Sequence, residues 1–432
     1  MATSTAPTKA IIFSYQVGFG DCFLLRFVYP RGMFKHVLID FGTTGLPEDI
    51  ADNRMVEIAN DIAEKCGESG LDAVIATHRH ADHISGFATK TNGKGPGDII
   101  RALEPKVVIQ PWTEDPAAAT NATVPTALSH PSLRSHALSL NTMHTTAANM
   151  LQQLEGRHRF SPAVEERIRF IGEDNLANKS AVKNLATMGS KKPVYTYHGG
   201  PTGLGQILPG VVTHVLGPPT LKQTDTIRKQ RSRDPEEFWH FQAQRLSEST
   251  RRQETEDVLF PGFETTSGSK LPMSVRWFSH RLREARGDQM LQLVRILDKQ
   301  MNNTSLILLF QTARKKLLFP GDAQLENWQY ALSRKGIENL LADVDLYKVG
   351  HHGSLNATPK SMWKMLEKKG PKTAKNRLKT ILSTMENKHG SSASNTEVPR
   401  RSLVNALKAS SDLYSTQSLK ASQLYQEIEI DL

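Results

Sequence analysis

Cysteine is scarce in this sequence: among 432 residues only Cys22 and Cys66 occur. Two thiols are too few for a disulfide framework, and nothing around either one signals an activated nucleophile. The pattern points to a reducing compartment, the cytoplasm by default, and away from thiol catalysis. Long apolar runs are also missing. No stretch approaches the roughly 18 to 20 residues that cross a bilayer. Met1 to Ala10 lacks the charged start and apolar stretch of a secretory leader before a strand opens at Ile11-Ile12-Phe13. No glycine turn spells the G-x-x-x-x-G-K-[ST] phosphate loop, no Ser-His-Asp arrangement stands out, and there is no internal repeat. These absences argue against a membrane-embedded protein, a disulfide-stapled scaffold and a P-loop nucleotidase. Aromatics are few as well, at 7%; with Trp239, Trp277 and a few Phe and Tyr in the middle of the chain, stacking on single strands is weakly supported.

What is present is a soluble globular composition, 38% hydrophobic and 23% charged, long enough for two or three domains or for one domain with insertions. The formal charge of +10 favours an anionic partner: nucleic acid, nucleotide or another phosphate-rich molecule. Two segments concentrate it, Arg228 to Arg233 and Lys364 to Lys379, the latter with seven basic residues against one acidic, Glu367. Each reads equally as a docking surface or as a solvated face.

Alternating apolar residues predict strands at Ala10 to Tyr15, Cys22 to Tyr29 and Lys35 to Asp40, followed by a helix from Glu48 to Cys66 and strands at Ala73 to Ala76 and Lys106 to Gln110. From about Thr113 to Asp298 the pattern turns polar and helix-like, at Ser132 to Gly156, Ala163 to Ile171 and Pro235 to Thr255. One strand signal interrupts it, Gly210 to Leu216, and an amphipathic helix over Ser267 to Asn303 returns the chain to the core. Strands resume at Ser305 to Phe310, Lys316 to Phe319, Asp345 to Val349, Leu378 to Ser383 and Gln426 to Leu432, with helices at Glu326 to Lys335 and Arg401 to Ala409. Strand and helix alternating in this way imply an α/β layered fold.

The chemistry lies at strand ends. The strand Ala73 to Ala76 runs into Thr77-His78-Arg79-His80-Ala81-Asp82-His83, an H-x-H-x-D-H cluster of four ligand-type residues. Imidazoles and a carboxylate without thiolate suit Zn, Mn or Fe in a hydrolytic site. Two later strands also end in ligand residues, at Asp322 and His351. In a layered sheet, strand ends on one edge converge.

These pieces, with Val17-Gly18-Phe19-Gly20-Asp21-Cys22, His36 to Gly42, Asn302-Asn303-Thr304-Ser305, Leu318 to Asp322 and Lys348 to Ser354, resemble the metallo-β-lactamase superfamily. Within it they are similar to the branch containing the metal-dependent domain of ComEC-type DNA-uptake proteins. The resemblance covers roughly residues 10–112 and 302–410. It implies a four-layer αβ/βα sandwich, with 10–112 and 302–432 forming the hydrolase core and 113–301 a large, mainly helical insertion that serves as lid, substrate wall or partner surface. It also implies two divalent ions, Zn first and Mn second. His78 and His80 would hold one ion and Asp82 and His83 the other, with Asp322 bridging. A histidine of the His351-His352 pair would complete the first site, the spare imidazole contacting substrate or donating a proton. His389 would close the second site, although the family's G-H-P pattern is absent there. Asp82, Asp322 and His352 are the residues assigned to catalysis. Asp40 would orient a ligand histidine, and Asp21 would cap backbone amides or sit near the metals. Asn303 reads as a loop anchor or a turn residue, and His214 as an ordinary strand histidine.

Two such ions lower the pKa of a bridging water enough to supply hydroxide near neutral pH. The leading expectation is therefore a phosphodiesterase or nuclease. The alternatives are hydrolysis of a small ester, such as a phosphocholine-type phosphodiester or a lactone, and a partner-binding protein with a structural metal.

Overall fold

The structure is a computed structural model that describes residues 6–115, 124, 179–220, 222–224, 302–354, 358–386, 388 and 397–432. The helices expected at 132–156, 163–171 and 235–255, most of the one at 267–303, the basic run at 228–233 and His389 lie outside the described residues.

Two sheets face each other. The first contains β1 (Lys9–Tyr15), β2 (Cys22–Tyr29), β3 (Met33–Phe41), β4 (Ala73–Ile75), β5 (Val107–Pro111) and β6 (Val194–Thr196), and its order is β13-β1-β2-β3-β4-β5-β6 with β13 at Tyr425–Asp431. The second has the order β12-β11-β10-β9-β8-β7, from β7 (Val212–Gly217), β8 (Ile307–Gln311), β9 (Lys316–Phe319), β10 (Leu346–Lys348), β11 (Lys379–Leu382) and β12 (Asp412–Ser415). Ile12, Phe23, Leu25, Phe27 and Ile39 from the first sheet pack against Leu308, Phe310, Phe319 and Ile381 from the second. Alternate residues of the same strands turn outward onto helices. Leu24, Leu38 and Val74 meet α1 (Arg54–Cys66), α3 (Pro96–Ala102) and α4 (Lys179–Thr187), where α2 is the short Ala81–Ile84 turn. Leu309, Leu318 and Tyr347 meet α5 (Leu325–Leu332), α6 (Ile337–Ala342), α7 (Lys360–Met365) and α8 (Arg401–Ser410). The result is a four-layer αβ/βα sandwich, and the period-2 alternation of half-buried strands is what builds its two outer interfaces.

Local differences from the expected elements have physical causes. Helix α1 begins at Arg54 rather than Glu48, because residues 47–53 form turns, with Ile50 N–H on Pro47 O at 3.0 Å, that tuck Ile50 into the core. Beyond the strand signal near 210–216, the chain between 113 and 301 places β6 beside β5 in the first sheet. That strand is three residues long, too short to show a period. α4, also from this stretch, packs on the same sheet's outer face.

Within each sheet one stretch is parallel: β3 to β6 in the first and β9 to β12 in the second. Their carboxyl ends share one edge of the sandwich. At the opposite edge each stretch is held by a buried aspartate. Asp72 accepts from His36 N–H (2.9 Å), Lys35 (3.0 Å) and Lys106 (2.7 Å). Asp345 accepts from Lys316 N–H (3.0 Å), Lys315 (3.0 Å) and Lys368 (2.7 Å).

His36 is fully buried, and its Nε2 accepts from Arg26 Nε at 3.0 Å. Burial, reinforced by the Arg26 charge, lowers its pKa to about 4. The unfolded chain therefore takes up this proton at higher pH than the folded one, and stability contributed by neutral His36 is lost as pH falls from 6.5 toward 4. His36→Gln keeps an acceptor for Arg26 without titrating. Urea unfolding is expected to show the variant losing about 2–3 kcal/mol less than the wild type across that window; equal losses would contradict the assignment.

Candidate metal centre

Asp40 is the penultimate residue of strand β3, and its backbone sits in the left-handed region at φ +54°. A non-glycine residue stays there only when its surroundings hold it. Here its carboxylate accepts from Thr77 N–H and Thr77 Oγ1–H, both at 2.7 Å, and from His83 Nδ1–H at 2.8 Å. Asp40 thus locks the turn that carries the histidine cluster and turns His83 Nε2 inward. The approach is close enough that a Cβ on Gly42 would strike the His83 backbone, so only glycine fits.

Three overlapping donor groups follow: Asp21, Asp40 and His83 form one, and the other two share Asp82. His78 Nε2 and His80 Nδ1 lie 3.0 Å apart and group with Asp82. Asp82 also groups with His83, Asp322 and His352, one ligand atom from each lying within 4.8 Å of all the others. His352 Nδ1–H donates to Ser383 O at 3.0 Å, which directs its Nε2 to Asp82 Oδ2 at 2.8 Å. His83 Nε2 stands 3.1 Å from Asp322 Oδ2. Each of these imidazoles already spends its Nδ1 proton outward, so a neutral ring would point a lone pair at a carboxylate oxygen. Such a face-off needs a cation or a proton between the two atoms. Asp82 Oδ1, His83 Nε2 and Asp322 Oδ2 are buried and make no hydrogen bond, which is costly unless a ligand meets them. The donor set fits divalent metal: imidazole nitrogens and carboxylate oxygens, all buried, converging without thiolate.

Electrostatics lead to the same conclusion. Burial lowers His80 to about 4 and, together with His83 and His80, holds His78 well below the usual imidazole range, so this pair is neutral and ready to donate. Burial would also lower His83 and His352, but Asp322, Asp82 and further carboxylates (Asp40 for His83, Asp21 for His352) outweigh it and raise both. Burial would raise Asp82 and Asp322, yet the facing imidazoles, with Lys348 for Asp322, hold both carboxyls well below their ordinary values. Without metal these carboxylates favour the protonated forms of His83 and His352, and a bound metal would compete with those protons.

The geometry departs from the sequence expectation in several places. His352 falls in the Asp82–His83–Asp322 group rather than beside His78 and His80, because the Ser383 carbonyl fixes its ring. Asp82, not Asp322, is the carboxylate common to both groups. His351 stands at the rim: its backbone N–H donates to Asp322 Oδ1 at 3.1 Å, while its ring, 28% exposed, keeps Nε2 3.9 Å from Asp322 Oδ2. Of the two roles expected for Asp21, the side chain caps no amide but does lie near the candidate metal ligands, grouped with Asp40 and His83. Its carboxylate meets the Lys348 ammonium, and both groups are buried. Lys348 itself carried no assigned role, although a lysine inside the apolar run Leu346 to Val349, just before two histidines, was the available signal. Asn303 Nδ2 donates to Glu326 at 3.0 Å, and His214 faces Gln311 at 2.9 Å on the β7–β8 pair. Cys22 and Cys66 are buried free thiols, raised by burial well above the usual range and to about 12 respectively.

Against known proteins, the family model described as the metallo-beta-lactamase superfamily matches residues 15–145. No curated protein matches the chain. The match spans β2 through β5 and includes Asp21, Asp40 and the whole histidine cluster. It suggests a metal-dependent hydrolase, with which the buried His/Asp groups are compatible. Among the described residues no helix is long and apolar enough to cross a membrane.

Zn(II) added to chelator-treated protein is expected to bind at two equivalents per chain, read by equilibrium dialysis with elemental analysis. His352→Ala should lose one equivalent and His351→Ala should keep both. The reverse pattern would move His351 into the metal group.

Proposed function

We propose that this protein is a two-metal phosphodiesterase acting on a nucleic acid or nucleotide, with Zn or Mn as its ions. The observation that carries the reading is the pair of buried donor groups joined at Asp82, His78–His80 on one side and His83–Asp322–His352 on the other. Divalent ions held by His78, His80, Asp82, His83, Asp322 and His352 would supply hydroxide near neutral pH and neutralise charge on the attacked centre. The chain's own residues prepare that step. Asp40 and Ser383 O hold the Nδ1 protons of His83 and His352, so that both Nε2 atoms face inward. Packing at the sheet edge excludes water from the donors. The half-exposed ring of His351, beside Asp322 at the rim, is placed to hydrogen-bond a phosphoryl oxygen.

Three observations support a phosphate-rich substrate: the motif resemblance to ComEC-type proteins, the charge of +10, and exposed Lys360, Lys364, Lys372 and Lys375 on and after α7. The buried, unpaired thiols support a reducing compartment such as the cytoplasm. The insertion at 113–301 would form the substrate wall or receive a protein partner.

Metal-loaded protein is to be offered labelled single- and double-stranded DNA, RNA, bis(p-nitrophenyl) phosphate and a carboxylic ester. Cleavage of a phosphodiester is expected, and cleavage of the carboxylic ester alone would refute the proposal. Asp82→Ala and Asp322→Ala should each lower kcat/KM by at least about a thousandfold, about 4 kcal/mol of barrier; unchanged turnover would remove these residues from the site. Lys364→Glu/Lys372→Glu/Lys375→Glu and, separately, charge reversal at Arg228 to Arg233 should weaken nucleic-acid binding and flatten its salt dependence in whichever segment contacts phosphate. No change in either returns that segment to an ordinary solvated face.

A further inference from the structure

Lys348 closes strand β10 and is 1% exposed. An ammonium so deep is costly unless paired, and two carboxylates and a carbonyl receive it: Asp21, Asp322 Oδ1 at 3.5 Å and Gly321 O at 3.3 Å. Its position bears on Asp322 in a specific way. The two oxygens of that carboxylate have separate surroundings. Oδ1 accepts the His351 backbone N–H and is ion-paired with the Lys348 ammonium at 3.5 Å, one contact from the turn after β10 and one from the strand itself. Oδ2 makes no hydrogen bond and faces three imidazoles: His83 Nε2 at 3.1 Å, His352 Nε2 at 3.7 Å and His351 Nε2 at 3.9 Å. Gly321, at φ +55° against Thr77, brings the carboxylate into this gap.

We infer that Lys348 is a positioning residue that occupies Asp322 Oδ1 and leaves Oδ2 as the only oxygen this carboxylate offers a divalent cation. The inference rests on the metal-dependent reading above and deepens it. A carboxylate free to turn would chelate with both oxygens or swing away from His83 and His352. With Oδ1 held, it presents one oxygen in one direction, and the donor geometry is set before a cation arrives.

A purely structural role competes with this one: Lys348 would serve only to neutralise Asp21. The two are separated by removing the pair together. Lys348→Met alone leaves Asp21 buried and uncompensated and is expected to melt lower or fail to fold. Asp21→Asn/Lys348→Met removes both charges and is expected to recover folding. Asp21→Asn alone keeps the ammonium on Asp322.

The probe is Co(II) added to chelator-treated full-length protein, followed by its visible absorption and by equilibrium dialysis. Wild type and Asp21→Asn are expected to share one spectrum, which reports donor geometry, while the loss of one buried negative charge weakens Asp21→Asn only modestly. The double variant is expected to fold, show an altered spectrum and bind roughly 10- to 100-fold more weakly. A folded double variant with the wild-type spectrum and affinity overturns the positioning role and leaves the metal reading standing. Should the double variant not fold, Asp21→Asn decides: loss of the wild-type spectrum there, with Lys348 intact, overturns the inference. Wild type that binds no cobalt overturns both the inference and the metal reading.

Discussion

The structure turns on uncompensated negative charge at a buried edge. Asp21, Asp40, Asp82 and Asp322 are each at most 3% exposed, and among the described residues Lys348 is the one fully buried ammonium placed beside them. With neutral imidazoles, four carboxylates and one ammonium leave three negative charges in a region with little water. Burying even one unpaired carboxylate is costly, so the edge is stable only with cations in place. In the metal-free protein the carboxylates raise His83 and His352, favouring protons that meet part of that demand. Two divalent ions would meet all of it and release the protons. Every local oddity nearby serves the same end. The left-handed backbone at Asp40, His351 and His352, the obligatory glycine at 42 and the clamp on Asp322 all bring acceptor atoms closer together than they would sit on their own.

Such crowding needs a rigid frame, and the sandwich supplies one. The inner core holds the two sheets face to face, so the carboxyl ends of β3, β4, β9, β10 and β11 reach one edge from both sides. Asp40 lies within the end of β3, Ser383 directly follows β11, and the His78–His83 turn, Asp322 and the His351–His352 turn come three residues past β4, β9 and β10. At the far edge, Asp72 and Asp345 tie adjacent strand starts together with lysines and backbone amides. Each sheet therefore has an ordinary, satisfied aspartate at one end and a demanding one at the other. That asymmetry distinguishes aspartates that anchor strands from those that serve the site.

Much of this was legible in the sequence, for reasons that differ by element. Strands such as Cys22–Tyr29 show because one face meets the inner core and the other a helix, and the site edge shows because ligand-type residues end apolar strands. Three-residue β6 and four-residue β12 hide because they are mostly half-buried and show no apolar run, whereas the three-residue β4 and β10 are fully buried. Which histidine of the pair turns inward depends on consecutive left-handed residues and on the Ser383 carbonyl 31 positions away; nothing in Gly350-His351-His352-Gly353 encodes that choice locally. Lys348 was visible only as a letter in a motif. Its meaning appears once Asp21, more than 300 residues earlier, is beside it.

The net charge of +10 calls for the same separation of anchored from available charge. From Thr358 to Leu432 there are 13 Lys and Arg against 7 Asp and Glu, whereas from Asp225 to Met301 there are 14 against 12. The basic surplus therefore belongs mainly to the segment around the outer face of the second sheet, not to the run Arg228 to Arg233. Part of it is already committed: Lys368 to Asp345, Arg377 to Asp412 and to the carbonyls of Gly370 and Ala409, Arg400 to Glu397. What remains uncommitted on and around α7 and α8 is the exposed set Lys360, Lys364, Lys372, Lys375, Arg401 and Lys408. A polyanion held there would lie across the helical layer that supports β10 and β11, the strands that end at His351 and Ser383. Charge that reads in composition as a diffuse tendency is thus, in the fold, concentrated on the layer behind half of the metal edge.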